Sequence, residues 1–228
     1  MLINKKLFPL LLVIPLIFNS HSVSAQKSKT PETQTSTRSK SILQSLIGLF
    51  KTPKNRLISR GGEVCLIAPG QLGEQVIWSD SPLFIWQGDI PQSQIGLYSA
   101  SVNFNYQQQE QLLWQQTVPA NSQTMAYKGE KLKPGLTYDW VLSVDDKTYR
   151  PGFILMEQDE RQKIAKELNA LESQLRLEAA NEEDIAIAKA DYFIKRELWS
   201  DAIQQLHTIK QPSAHLLDKI KDIKQYLC

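Results

Sequence analysis

The stretch "LKPGLTYDW", Leu132 to Trp140, decides the fold of this chain. It contains a Pro-Gly turn and leads into "TYDWVLSV", in which Tyr138, Trp140 and Leu142 occupy every second position. Successive side chains of a strand point to opposite faces of the sheet, so these residues share one face. The stretch therefore predicts a half-buried β-strand that starts directly after a tight turn.

The residues on either side of this strand also form short β-forming runs. From Leu57 to Met156, short β-forming runs alternate with turn residues; the runs include "EVCLIA", "PLFIWQ", "QIGLY", "SVNFNY", "QLLWQQTV", "TMAYKG" and "RPGFILM". Their number and spacing predict a β-sandwich domain over residues 57–156. The turn "VDDKT" (144–148) is predicted to join two of its strands, since Asp tolerates tight backbone angles.

A local resemblance narrows the fold class. Leu132, Pro134 and Tyr138 match the pattern Leu-x-Pro-x-x-x-Tyr, which resembles the tyrosine corner of fibronectin type III and related sandwiches. The resemblance implies an immunoglobulin-like or fibronectin-III-like sandwich in which the tyrosine hydroxyl bonds to upstream backbone. Trp86 in "LFIWQ" resembles the large aromatic of such cores. The fold resemblance implies no function, because proteins of one fold have many different functions.

The hydrophobic period changes after Met156, and residues 157–228 are predicted to form a small helical domain. A long first helix, "EQDERQKIAKELNALESQLRLEAA", has an apolar stripe that comprises Ile164, Leu168, Leu171, Leu175 and Leu177. Three further helices are predicted after the N-cap candidates Asn181, Ser200 and Ser213.

The second and third of these helices resemble a tetratricopeptide-repeat (TPR) hairpin. In "AKADYFIKRELWSDAIQQLHTI" the matching positions are Ala190, Phe193, Trp199, Ala202 and Leu206. Glu197 stands where that family usually has a turn glycine, and the sequence has one copy. The resemblance implies a single TPR-like hairpin rather than a multi-repeat groove.

The N-terminus predicts export. Lys5 and Lys6 precede the apolar run Leu7–Phe18, and "VSA" (Val23–Ala25) forms a small-residue cleavage site, as in a secretory signal peptide over residues 1–25. The protein is therefore predicted to be periplasmic or extracellular, with no transmembrane span after cleavage. An uncleaved anchor is the alternative.

Residues 26–56 are predicted to be a flexible basic linker with one short amphipathic helix, "SILQSLIGLF" (Ser41–Phe50). The segment Gln26–Arg60 carries eight Lys or Arg against one acid. The linker is interpreted as a solvated spacer, or as attracted to an anionic envelope surface or to the acidic body of the protein itself. The helix is predicted to dock on its own domain, with a membrane surface as the alternative.

Charge and motifs exclude several classes of function. Without residues 1–25 the chain has 24 basic and 24 acidic residues, which gives no support to a nucleic-acid partner. His207 and His215 fit no metal-ligand spacing, no phosphate-binding glycine loop or nucleophile elbow occurs, and the sequence predicts neither metal nor cofactor. Asp145 and Asp146 are adjacent in a turn, a poor arrangement for a catalytic pair. No enzyme is predicted; a hydrolase with an unrecognised carboxylate pair is kept as an alternative.

Two pairs of residues carry more specific hypotheses. Trp78 and Trp114 have no assigned core position and are candidates for stacking on sugar rings, although core packing is the other interpretation. Cys65 and Cys228 are the only cysteines, and export favours a disulfide between them that fastens the C-terminal helix to the sheet. The alternative is a buried free thiol at Cys65.

As a whole, "SRGGEVCLIAPG", "PGLTYDW" and "ELWSDAIQQL" resemble an uncharacterised family of exported cyanobacterial proteins, classed as a domain of unknown function. The resemblance covers Ser59 to about Leu206 and implies export and architecture only. We therefore expect a binding or scaffolding protein that acts through protein contacts. Its partner surface is predicted around Tyr192, Trp199 and His207, or at an exposed sheet edge that accepts a strand. A carbohydrate-binding or envelope-polysaccharide module is the alternative.

Overall fold

The computed structural model of the chain describes residues 37–50, 64–70, 76–102 and 108–228. The helices are α1 (Thr37–Phe50), α2 (Gln158–Leu177), α3 (Glu182–Ile194), α4 (Trp199–Leu206) and α5 (Ala214–Leu227). The strands are β1 (Cys65–Ala68), β2 (Val76–Ile77), β3 (Leu83–Gln87), β4 (Ser93–Val102), β5 (Gln108–Val118), β6 (Thr124–Ala126), β7 (Thr137–Val144), β8 (Lys147–Tyr149) and β9 (Gly152–Leu155). This order confirms a β-sheet part followed by a C-terminal helical region. The predicted signal segment lies outside the described residues.

The strands form two sheets. The first sheet has the order β1-β3-β6, and the second has the order β2-β9-β7-β4-β5 with β8 also paired to β7. The pairing of β2 with β9 is parallel, and the other described pairings are antiparallel. The chain changes sheet five times along the order of the described strands, between β1 and β2, β2 and β3, β3 and β4, β5 and β6, and β6 and β7. Strands that are neighbours in the sequence are therefore often not paired.

Strand β7 supplies much of the core of the β part. Its residues are alternately buried and less buried, with Tyr138, Trp140 and Leu142 buried, so the predicted alternation is confirmed. The Trp140 ring lies 5.0 Å from that of Phe84, which belongs to β3 in the first sheet. The Trp140 indole N–H also donates to the Pro69 carbonyl at 3.0 Å. These contacts connect β7 to β3 of the first sheet and to the residue after β1.

The turn before β7 is fixed by Tyr138. Its hydroxyl accepts the backbone N–H of Lys133 at 2.7 Å and lies 3.1 Å from the Lys133 carbonyl, to which it donates. Gly135 has a φ of 73°, and a Cβ there would meet the Glu157 carboxylate at 2.6 Å. The Gly135 N–H donates to the Leu155 carbonyl at 2.8 Å. Hydrogen bonds to Tyr138 and to Leu155 therefore fix the conformation of this turn.

Removing the Tyr138 hydroxyl is expected to destabilise the fold. Tyr138→Phe loses both bonds to Lys133 inside a site that is almost closed to water, so the free energy of unfolding should fall by about 1–2 kcal/mol. Urea unfolding measures the change. Tyr149→Phe is the matched control, since in the described part of the chain its hydroxyl makes no hydrogen bond. Equal effects of the two substitutions would contradict this role.

The helix starts agree with the predicted caps at two of three positions. The Asn181 side chain accepts the Asp184 N–H at 2.8 Å, and the Ser213 hydroxyl accepts the Leu216 N–H at 3.2 Å. The cap predicted at Ser200 is wrong, because α4 already starts at Trp199 after Leu198.

The reason lies in the turn before α4. Glu197 adopts a φ of 59°, and the next N–H, that of Leu198, bonds to the Phe193 carbonyl at 3.0 Å. This bond ends α3 in a short turn, and Leu198 is already the N-cap residue of α4. Glu197 thus holds the left-handed conformation that a turn glycine would adopt more easily.

Helix α2 buries three residues of its apolar stripe, Ile164, Leu168 and Leu175. The predicted stripe is wrong at its end, since Leu177 is 90% exposed. Two residues span about 200° around a helix, so Leu177 cannot share the face of Leu175.

One apolar cluster connects the helices to the strands. It contains Phe193, Ile203 and Leu227 from the helices together with Ile67 and Ile85 from the first sheet, all of them buried. The helical region therefore packs directly on β1 and β3.

The predicted docking of the N-terminal helix is confirmed. Helix α1 contacts α3 and α5, and its residues Leu43 and Ile47 are buried in the same apolar cluster. It begins at Thr37, four residues before the predicted start at Ser41.

Cys65 and Cys228 form a disulfide with an S–S distance of 2.08 Å. The bridge joins β1 to the residue after α5, across a sequence separation of 163. It therefore fastens the C-terminal helix to the sheet part, in the manner that the two cysteines predict.

Candidate functional site

Strand β5 lies at the edge of the second sheet. It pairs with β4 along one side, from Ser93 opposite Val118 to Val102 opposite Gln108. Within residues 37–50, 64–70, 76–102 and 108–228, no strand pairs with its other side. An edge strand of this length presents a row of backbone donors and acceptors that can bind another extended chain.

A bulge changes the direction of the side chains near the middle of β5. Leu97 pairs with Trp114 and Tyr98 pairs with Leu112, so Leu113 is an extra residue with no partner of its own in β4. Leu112 and Leu113 are 47% and 38% exposed. Bulges often redirect a side chain at a binding site. Here the bulge brings Leu113 to the wall of a cavity.

This cavity, which we call the β5 cleft, has a volume of about 800 Å³ and lies between β5 and the loop Tyr127–Leu136. The buried residues Tyr127, Leu132 and Tyr138 contribute to its apolar lining, and the half-exposed Leu136 adds to it. The volume lies within the range of about 300–1,000 Å³ that is usual for binding pockets. The cleft therefore has room for side chains of a bound segment.

The loop beside the β5 cleft is basic. It carries Lys128, Lys131 and Lys133, all exposed, against the single acid Glu130. Lys131 Nζ lies 3.5 Å from an Asp80 oxygen, which also binds Arg161 at 3.0 Å, so Asp80 is shared between two cations. Among the described residues, neither Lys128 nor Lys133 forms an ion pair.

The loop is also rigidly attached. The Tyr127 hydroxyl donates to the Glu130 carbonyl at 2.8 Å, and the Leu132 N–H donates to the Asp80 carbonyl at 3.2 Å. Burial, followed by the nearby Tyr138 and Glu130, raises the pKa of Tyr127 above its ordinary value. Tyr127 therefore stays neutral and keeps this bond at physiological pH.

A second polar cluster is buried where α4 meets the strands. Asp201 accepts the backbone N–H of Trp78 at 2.7 Å and that of Ser79 at 2.8 Å. Burial raises the pKa of Asp201 to about 6, against the opposite effect of these two bonds and of Arg161. Gln204 adds a bond from the Leu83 N–H at 3.0 Å. The bonds of the cluster join α4 to β2 and β3.

The two candidates for sugar stacking both contact other aromatic rings of the protein. Trp78 lies 5.5 Å from Phe193, and its indole N–H donates to the Arg161 carbonyl at 3.1 Å. Trp114 stacks on Phe84 at 5.9 Å with an interplanar angle of 21°. Each indole is partly buried. These contacts agree with the core-packing interpretation of both residues.

The residues of the predicted helical partner surface have internal contacts. The Tyr192 hydroxyl donates to Glu167 at 2.6 Å, and the Arg196 guanidinium lies 3.7 Å above its ring. Trp199 packs against the apolar cluster of the helices. His207 Nδ1 lies 2.9 Å from the Ile203 carbonyl oxygen, and burial lowers the pKa of His207. A partner surface around these three residues stays a prediction.

The remaining polar candidates are at the surface. Asp145 and Asp146 are exposed in the turn between β7 and β8, which confirms the predicted connection, and His215 is exposed near the start of α5. The described residues contain no group of three or more His, Cys, Asp or Glu side chains that could hold a metal ion. No helix in the described ranges is long and apolar enough to cross a membrane.

Comparison of the chain with protein-family models, with curated proteins and with solved structures finds no match. The resemblance to exported cyanobacterial proteins therefore stays a prediction.

Proposed function

We propose that this chain is an exported, non-enzymatic binding protein that takes up an extended segment of a protein partner as an added strand on β5. The observation that carries the proposal is the edge of this eleven-residue strand, which no other described strand covers, beside a cleft of about 800 Å³. In strand addition, main-chain hydrogen bonds supply affinity, and pockets for alternate side chains supply specificity.

The composition of β5 supports this proposal. Long edge strands are usually protected by lysine, proline or charges that point inward, because an open edge promotes aggregation. Strand β5 reads "QQEQLLWQQTV" and has one charged residue, Glu110, which binds Arg150 at 2.6 Å. Little in its sequence therefore opposes the approach of another strand.

The proposal includes the finer fold predictions. The sheet orders β1-β3-β6 and β2-β9-β7-β4-β5, together with the Tyr138 bonds to Lys133, support an immunoglobulin-like sandwich. The buried seam formed by Ala190, Phe193 and Ala202 between α3 and α4 supports a TPR-like hairpin. Under this proposal the helices brace the first sheet, and the second sheet presents β5. The signal-like residues 1–25 and the disulfide support export.

A peptide titration tests strand addition. The probe is a peptide of about eight alternating Val and Gln residues, a length that is usual for a strand. We expect saturable binding, followed by backbone amide NMR shifts that are centred on β5 and the loop Tyr127–Leu136. The matched control is the same peptide with every backbone nitrogen methylated, which removes the donors but keeps the side chains.

Binding of the plain peptide and loss of binding of the methylated one would support the proposal. Equal binding of both would contradict it, because main-chain donors would then contribute nothing. Amide shifts confined to the helices would also contradict it and would favour the surface around Tyr192, Trp199 and His207.

A further inference from the structure

We infer that the segment bound on β5 is acidic, with carboxylates on the face that meets the loop Tyr127–Leu136. The inference rests on the proposed strand addition and adds the chemistry of the partner. Its basis is the position of three exposed lysines along the β5 cleft.

The geometry brings added side chains to these lysines. Gln111 and Leu113 of β5 line the same cleft as Lys128, Lys131 and Lys133. A strand added beside β5 continues the sheet, so every second side chain of that strand points to the cleft side. A segment with acidic residues at alternate positions would therefore place several carboxylates along one basic wall.

Among the described residues, the lysines of the β5 cleft have few acidic neighbours. Glu130 is the one acid of the loop, and Asp80, which is near Lys131, is shared with Arg161. Lys128 and Lys133 form no ion pair with any described residue. Opposite charges on a partner increase both selectivity and the rate of association.

Two other occupants fit this charge poorly. The chain's own segment Gln26–Arg60 carries eight Lys or Arg against one acid, so its charge has the same sign as the cleft. A second copy that paired through β5 would bring two basic loops towards each other, which like-charge repulsion disfavours. The charge therefore indicates a different, acidic chain.

The test compares three peptides of about eight residues in which Val alternates with Glu, Gln or Lys. In about 0.05 M salt we expect the Glu peptide to bind about tenfold more tightly than the Gln peptide and the Lys peptide to bind most weakly. The difference should shrink in about 0.5 M salt, where exposed charges are screened. Fluorescence anisotropy of labelled peptides measures all three affinities.

The variant Lys128→Gln/Lys133→Gln should lose most of the preference for the Glu peptide while it still binds the Gln peptide. Lys210→Gln/Lys221→Gln removes two exposed lysines elsewhere and should keep the preference. Equal affinities for the Glu and Gln peptides would overturn the acidic partner but leave strand addition standing. If no peptide binds, both the acidic partner and strand addition are overturned. Dimerisation through β5 would overturn both as well. So would charge-dependent binding to vesicles of anionic lipid without peptide binding.

Discussion

Replacing both cysteines with serine is expected to lower the free energy of unfolding by about 4–5 kcal/mol, the largest effect that we expect from any pair of side chains here. The bridge closes a loop with a sequence separation of 163, and loop closure removes more entropy from the unfolded chain as the loop lengthens. Guanidinium unfolding of Cys65→Ser/Cys228→Ser, followed by circular dichroism, measures the loss.

The control for this prediction is the native protein in a reducing agent. It should unfold at the same denaturant concentration as the double variant, since both lack the bridge. Hydrogen exchange should show the largest loss of protection in α5, whose buried residues Leu216, Ile223 and Leu227 pack on the core that the bridge fastens. A stability loss below about 1 kcal/mol would contradict a disulfide in the native protein.

Replacing Asp201 with alanine is expected to have the next largest effect. At about pH 4.5 the free energy of unfolding should fall by about 3 kcal/mol, because the buried N–H groups of Trp78 and Ser79 lose their acceptor. These bonds connect positions more than 120 residues apart in the chain, so the loss weakens the attachment of α4 to the strands. Urea unfolding of the native protein and of Asp201→Ala gives the difference.

This difference should depend on pH. Burial raises the pKa of Asp201 from 3.8 to about 6, so the folded state favours the protonated carboxyl. The stability that this group contributes is fully present below about pH 3.8 and is lost as the pH rises through about 6. Between about pH 4.5 and pH 7.5, about 2 kcal/mol of the difference between the two proteins should disappear.

Asp201→Asn is the matched control, since it keeps one acceptor oxygen and does not titrate. Its stability should change with pH in parallel with that of Asp201→Ala. A difference between the native protein and Asp201→Ala that stays constant across this range would contradict a raised pKa at Asp201.

Local patterns predicted the elements well. The alternation of Tyr138, Trp140 and Leu142 predicted strand β7 correctly, because a sheet with one buried face has an apolar residue at every second position. The caps at Asn181 and Ser213 followed from side chains that accept backbone N–H groups. The even number of cysteines, taken with the predicted export of the chain, predicted the bridge.

The candidate site could not be predicted in the same way. The run "QLLWQQTV" predicted a strand, but whether a strand lies at an edge depends on pairings between distant segments. The adjacent Leu112 and Leu113 are the one local sign of the bulge, since they interrupt the alternation. The bonds of Asp201 to Trp78 and Ser79 leave no local pattern in the sequence. The two backbone N–H groups require an acceptor because tertiary packing buries them, and Asp201 supplies it from a distant segment.

The same limit applies to Trp78 and Trp114, whose role as sugar-stacking residues stays a prediction. A tryptophan beside polar residues, as in "VIWSD" and "LLWQQ", has the same sequence pattern whether its ring stacks on a ligand or on a neighbouring phenylalanine. In the structure Trp78 lies against Phe193 and Trp114 against Phe84, and both of these partners lie far away in the sequence.

Amide hydrogen exchange in β5 with and without the Val-Glu peptide tests the central claim most directly. We predict that the peptide slows exchange of alternate amides within Gln108–Val118, those that point away from β4, while the amides of α3 and α4 keep their rates. Unchanged exchange in β5 under saturating peptide would show that this edge does not receive a strand.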